Sequence, residues 1–266
     1  MTNTIRYDDP KTLRASCRQG IWMSSTSGQC AGYVQANLVI LPRDCAFDFL
    51  LFCHRNPKPC PILEVTDPGD PVVKEIASHA DLRTDLPAYR VFRDGEMVEE
   101  RTDISDLWQD DSVGFLIGCS YTFDSVLEKS GFPQAHVAEG REPGIYVSNI
   151  SCRPAGRFKG PMVVTARPFA GDKVADAVML TSRFTKTHGA PVYVGDPSII
   201  GIDLTKPDPE YGGHPLNVES GQVALMWACG ITPQAVAKAS RAPFMITHKP
   251  GHMFVSDVTV DQLMRE

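Results

Sequence analysis

Residues 32–71 read GYVQANLVILPRDCAFDFLLFCHRNPKPCPILEVTDPGDP. Apolar side chains dominate 34–41 while Gln35 and Asn37 alternate onto one face, which predicts a strand with polar groups at one end. Pro42 and Asp44 are start signals, and the apolar content of 43–55 suits a buried helix. Prolines at alternate positions in 56–61 remove backbone donors and force extended, irregular chain. A short strand over 62–66 and a turn over 67–71 follow. Strand, helix, strand in that order is the pattern of an α/β fold with a largely parallel sheet.

The rest of the chain extends the pattern. Residues 9–20 suit an amphipathic helix, with Pro10 in its first turn and Leu13 and Cys17 on one face. Asp94-Gly95 between the alternating halves of 89–100 signals a β-hairpin. Strands are expected at 113–117, 144–150, 161–166, 190–194, 222–229 and, last, 244–247. Helices are expected at 123–130, 172–184 and 232–240. The more polar, more charged stretch after residue 71 suggests a smaller α+β domain over 71–149, with 1–70 and 150–266 forming the main α/β domain.

The 266 residues carry a formal net charge of −6, which argues against a nucleic-acid partner and leaves small molecules open. The longest apolar run, AFDFLLFC at 46–53, is too short for a membrane span and contains Asp48. The N-terminal stretch lacks the apolar region of a secretory signal, so a cytoplasmic location is expected, without membrane association. A homo-oligomer is compatible with the sequence. Eight cysteines without a CxxC pair read as reduced, buried thiols rather than a zinc or redox motif.

Ligands of α/β folds collect beyond the carboxyl ends of strands, which draws attention to Ser120, His188, Asp196, Gly230 and His248. In THKPGHMFVSD, Pro250-Gly251 prevents His248 and His252 from sharing a helix, so they are not a helical zinc pair. Either one imidazole is an acid–base group on a rigid loop, or both satisfy backbone carbonyls. Cys229, at a strand-to-helix turn, is either a nucleophile or a core thiol, and Cys119 has the same two readings. The small residues around Ser27 and Gly28 either cradle an anion or form a plain loop. Asn37 either binds substrate or pairs with a neighbouring loop, and Lys58 is either a fixed cation or a solvated one. Asp196, His188, His214, Glu219, His248 and His252 have no diagnostic metal spacing, so neither a metal nor another cofactor is expected.

Taken in order, residues 32–71, 113–123 (VGFLIGCSYTF), 187–202 (THGAPVYVGDPSIIGI), 223–234 (VALMWACGITPQ) and 246–257 (ITHKPGHMFVSD) resemble the D-glutamate cyclases. Two departures stand out: His54 lies where the family more usually has glutamine, and 207–219 differs from its usual acidic–aromatic turn. The resemblance implies a three-layer α/β sandwich plus a smaller α+β domain, and a hydro-lyase that cyclises D-glutamate to 5-oxo-D-proline. For that reaction His248 or His252 is the expected base, and Asp196 would orient a histidine or hold the ammonium. Gly28, Gly118 or Gly230 N–H groups, or the Asn37 amide, would stabilise the oxyanion. Arg183 or Lys58 would take the α-carboxylate; Ser27, Ser120 and His188 complete the expected substrate contacts, with Cys229 a further catalytic candidate. The alternatives are a non-catalytic amino-acid or carboxylate binder, or a hydro-lyase for a different hydroxy acid.

Overall fold

The computed structural model describes residues 6–138 and 142–263; residues 1–5 of the N-terminal stretch and 139–141 of the expected smaller unit lie outside them. Helix α1 (Pro10–Arg18) starts where the Asp9 carboxylate accepts the Thr12 N–H at 2.8 Å and Pro10 fills the first turn. Strand β1 (Tyr33–Pro42), helix α2 (Arg43–Arg55) and strand β2 (Ile62–Val65) follow. A short pair, β3 (Val72–Val73) and β4 (Ala80–Asp81), precedes the hairpin β5 (Tyr89–Arg93) and β6 (Glu96–Arg101). The hairpin turns on Asp94 and Gly95, both left-handed at φ 51° and 83°, as a two-residue turn of this twist requires.

Strand β7 (Ser112–Gly118) runs into α3 (Tyr121–Lys129) and the single turn α4 (Ala135–Ala138). Then come β8 (Ile145–Ser151), β9 (Pro161–Ala170), α5 (Val174–Ser182) and β10 (Tyr193–Val194). Strand β11 (Gln222–Ala228), α6 (Thr232–Ser240), β12 (Phe244–His248), β13 (Phe254–Thr259) and α7 (Val260–Leu263) complete the order. Only two residues of the strand expected at 190–194 pair, and β13 lies beyond the strand expected to be last.

The largely parallel or mixed three-layer sandwich is not what forms. Among the described residues the strand pairings are antiparallel: one sheet in the order β2-β7-β1-β12-β5-β6, with β13 also on β1, and a second in the order β10-β11-β9-β8. The reason is visible at β1-α2-β2. The helix does return the chain so that β1 and β2 point the same way, but β7 inserts between them, antiparallel to both. Helices α3 and α6, unlike α2, do not return the chain to the sheet it left: α3 leads from β7 in the first sheet towards β8 in the second, and α6 from β11 back to β12.

Period-two alternation divides the core. From β1, Val39 and Leu41 join Phe115 and Ile117 of β7 under α2 (Phe49, Phe52) and α6 (Val236). Ala36, Leu38 and Ile40 face the other way, onto Val73, Leu82 and Ile104 of the β3–β6 region. In the second sheet Phe169, Leu225 and Trp227 pack on Phe123 and Leu127 of α3, and Ala177 of α5. Among the described residues no helix is long and apolar enough to cross a membrane.

Candidate active site

Both inter-sheet connections, β7-α3 and β11-α6, leave their strands beside one narrow crevice. Its walls include Asn37 of β1, Ser120, Thr165 of β9, Cys229, Gly251 and Met253, and the space between them is narrow and partly open to solvent. The N-termini of α3 and α6 open onto it, bringing the positive ends of two helix dipoles together.

Close approach of the backbone shapes this crevice. Asn37 Nδ2 donates to the carbonyls of Ile117 (3.2 Å) and Gly118 (2.8 Å), which spends both amide hydrogens on the end of β7. Gly230 lies flat on that amide, where a Cβ would sit 1.8 Å from Nδ2. Gly118 is covered in the same way, its missing Cβ replaced by the Lys186 carbonyl at 1.9 Å. Glycine is required at both places by proximity rather than by dihedral angle.

The segment lying over Gly118 carries His188, buried and left-handed at φ 82°. Its Nδ1–H donates to the Lys58 carbonyl at 2.6 Å while Nε2 is buried without a partner. Burial pushes the imidazole down to about 4, so it is neutral at physiological pH.

Beneath the crevice lies Arg167 of β9, 1% exposed. Alternation places it on the Thr165 and Phe169 side of the strand, and its guanidinium stacks 5.4 Å from the rings of both Phe123 and Trp227. Nη2 donates to Asp124 Oδ1 (2.8 Å) and to Ser120 Oγ (3.3 Å). Nε and Nη1 are buried with no partner, as is the Thr165 hydroxyl. Burial pushes the Asp124 carboxyl up, but Arg167 and His136 (3.1 Å) more than offset this and hold it below its ordinary range. Arg167 is thus a buried cation with two unused donors, set behind the crevice residue Ser120, and leaving such donors unmade costs about 1–3 kcal/mol per group, which favours an anionic partner.

Glu142 stands beside the crevice next to Pro143. Its Oε1 accepts the Ser25 hydroxyl and its Oε2 is buried without a partner. Burial raises its pKa, against the pull of the Ser25 hydrogen bond and of His214.

Asn37, Ser120 and Cys229 thus come together at one site, with His188 packed behind it. Burial pushes the Cys229 thiol up to about 11 and leaves it protonated at neutral pH. His248 does not line the crevice: its Nδ1 accepts the Leu38 N–H at 3.1 Å, and burial lowers its pKa to about 3. His252 Nδ1–H donates to the Pro250 carbonyl at 2.8 Å. Lys58 Nζ donates to the Ala190 carbonyl at 2.6 Å. Arg183 is exposed, and exposed Asp196 caps the Ser198 N–H at 2.9 Å. Ser27 and Gly28 line a separate cavity against Tyr121 and Asp124.

Sequence reasoning missed Arg167, Asp124 and Glu142. Arg167 did carry a signal, as the lone charge within PMVVTARPFA, one residue past the end expected for that strand.

A family model described as D-glutamate cyclase matches residues 113–257. The chain belongs to the D-glutamate cyclase family. Three bacterial relatives, each described as a "putative hydro-lyase", agree along nearly the full length. The Geobacillus kaustophilus protein is 52% identical over 95% of both chains. That of Stutzerimonas stutzeri is 51% identical over 98% of both, and that of Bacillus subtilis 48% identical over 96% of this chain and 98% of the other. Family and relatives support a lyase of the hydro-lyase class. Ser120, Asp124, Glu142, Thr165, Arg167 and Cys229 lie inside the matched segment, and Asn37 outside it.

Proposed function

We propose that the crevice of this D-glutamate cyclase family member closes D-glutamate into 5-oxo-D-proline. The observation that carries the reading is Arg167: a buried guanidinium fixed by Asp124 and two aromatic rings, with Nε and Nη1 unpartnered. Each of these two nitrogens has an N–H left to donate to a carboxylate oxygen, and we assign them to the substrate's α-carboxylate.

Ring closure requires the α-amine to reach the γ-carboxyl carbon, so a five-carbon chain must be held curled. Anchoring one end in a narrow crevice supplies that proximity, which in well-oriented systems accounts for about 7–11 kcal/mol of barrier. Negative charge then develops on the γ-carboxyl oxygen. The N-termini of α3 and α6 are the stationary dipoles placed to stabilise it. Asn37, whose amide hydrogens are spent on β7, offers its carbonyl oxygen to the substrate nitrogen.

The test is incubation of the purified protein with D-glutamate and, separately, L-glutamate, following 5-oxoproline by mass spectrometry. D-selective product that disappears in Arg167→Lys is the expected result. Absence of product from both enantiomers, in protein shown to be folded, defeats the reading.

A further inference from the structure

The stoichiometry of lactam formation makes a demand that the groups above do not meet. Zwitterionic glutamate carries three hydrogens on nitrogen and the lactam keeps one. The C–N bond forms, a C–O bond breaks, and the departing oxygen leaves as water. Both hydrogens lost by nitrogen therefore end on that oxygen, and no net proton is taken up or released. A group that accepts at nitrogen and donates at oxygen, twice per turnover, suffices with no co-reactant.

We propose that Glu142 is this proton-transfer group, and that Ser25 is the positioning residue that lets it serve in both protonation states; the proposal rests on the cyclase reading of the crevice. Glu142 precedes Pro143, a residue of the crevice wall, and its carboxylate packs against Gly251, another, with Oε1 placed 3.0 Å from where a Cβ on that glycine would be. Oε2 is buried and unpartnered, so one carboxyl oxygen is uncommitted. The other is tied to a hydroxyl with two outlets. Ser25 Oγ lies against Glu142 Oε1 and also 3.1 Å from the Gly251 carbonyl, while accepting the Ser27 N–H at 3.0 Å.

Ser25 has one hydroxyl hydrogen. When Glu142 is ionised, that hydrogen points to Oε1. When Glu142 is protonated on Oε1, the hydrogen turns to the Gly251 carbonyl and Ser25 Oγ accepts from the acid. Both states keep their hydrogen bonds, so neither is trapped. The environment sets the balance. Burial moves the carboxyl above the ordinary range, towards the working pH of an acid–base shuttle. Among the described residues, the titratable groups that face it are His214, which pulls it down, and the thiol of Cys119, itself kept protonated by burial.

The first arm of the test measures kcat for 5-oxo-D-proline formation and the D-glutamate dissociation constant in wild type, Glu142→Gln and Ser25→Ala. Glu142→Gln is expected to lower kcat by about 10²-fold or more, the usual share of general acid–base catalysis, with binding changed by less than about threefold. Ser25→Ala removes a hydrogen bond that holds the carboxyl down, so the acidic limb of the kcat profile moves to higher pH. Wild-type kcat in Glu142→Gln, or a loss of affinity that matches the loss of rate, overturns the proposal.

The second arm needs no turnover. The carboxyl carbon-13 resonance missing from Glu142→Gln is followed against pH in wild type and Ser25→Ala. A midpoint above the ordinary carboxylate range that rises further in Ser25→Ala is expected, and an ordinary midpoint overturns the shuttle. Wild type that forms no 5-oxoproline yet shows the displaced midpoint defeats the cyclase reading and with it the shuttle, while the raised carboxyl held by Ser25 remains.

Discussion

The ring of His248, the last residue of β12, meets the backbone of Leu38 opposite it. Strand β12 pairs with β1 at Val39↔Thr247 and Ile40↔Ile246, and β13 takes over at Ala36↔Phe254. Leu38 falls at the handover. Its N–H donates to His248 Nδ1 at 3.1 Å, and its carbonyl lies 3.4 Å from the same nitrogen. The shorter contact makes Nδ1 the acceptor and puts the hydrogen on Nε2.

That arrangement makes stability sensitive to acid. Burial lowers His248 from 6.5 to about 3, and His188 from 6.5 to about 4. Below pH 6.5 the unfolded chain takes up protons that these folded rings refuse, so stability falls as pH drops towards 4. Each ring contributes at most about 1.4 kcal/mol per pH unit within that window. Urea unfolding at pH 7.5, 6 and 5 should show the decline, and His248→Gln, which keeps an acceptor for Leu38, should flatten it. A decline of unchanged slope in His248→Gln would assign the acid sensitivity elsewhere.

Gly230→Ala tests the packing that shapes the crevice. The new methyl would meet the Asn37 amide at 1.8 Å, so the amide or the β11-α6 turn must move. A cost of about 1–3 kcal/mol is expected from overpacking. Asn37→Ala alone frees the Ile117 and Gly118 carbonyls. Combined with Gly230→Ala it should cost less than the sum of the two single changes, because the clash is gone. Denaturation midpoints of the four proteins close the cycle; strict additivity would mean that the turn relaxes away from Asn37 without strain.

Local structure was largely legible in the sequence, and long-range pairing was not. Helix α2 and the Asp94-Gly95 hairpin follow from start signals and turn chemistry within a few residues. The direction of the sheet depends on β7 inserting between β1 and β2, a non-local event that leaves no mark on the periodicity of either. β13 was hidden because FVSDVT directly follows the Pro-Gly loop and read as part of it. The same division holds at the site. Ser120 and Cys229 follow strands and were found by that position, whereas Arg167 lies within a strand and comes up behind Ser120 by facing direction alone. Asp124 became meaningful only once Arg167 stood beside it.

That pair permits stability and activity to be separated. Arg167→Gln removes the main partner of a carboxylate that is 5% exposed, leaving His136 as its neighbour. Breaking one side of such a buried pair costs about 3–5 kcal/mol, since the remaining charge stays desolvated. Adding Asp124→Asn removes that charge, and the double variant should regain much of the lost stability in thermal or urea unfolding. Dehydration activity should not return with it, because the two donors assigned to the substrate carboxylate are still missing. The single variant's deficit should also shrink as pH falls, since a carboxyl without its guanidinium takes up a proton more readily. A double variant that regains both stability and activity would show that Arg167 serves the fold alone, and would move the carboxylate anchor to a residue of the crevice wall itself.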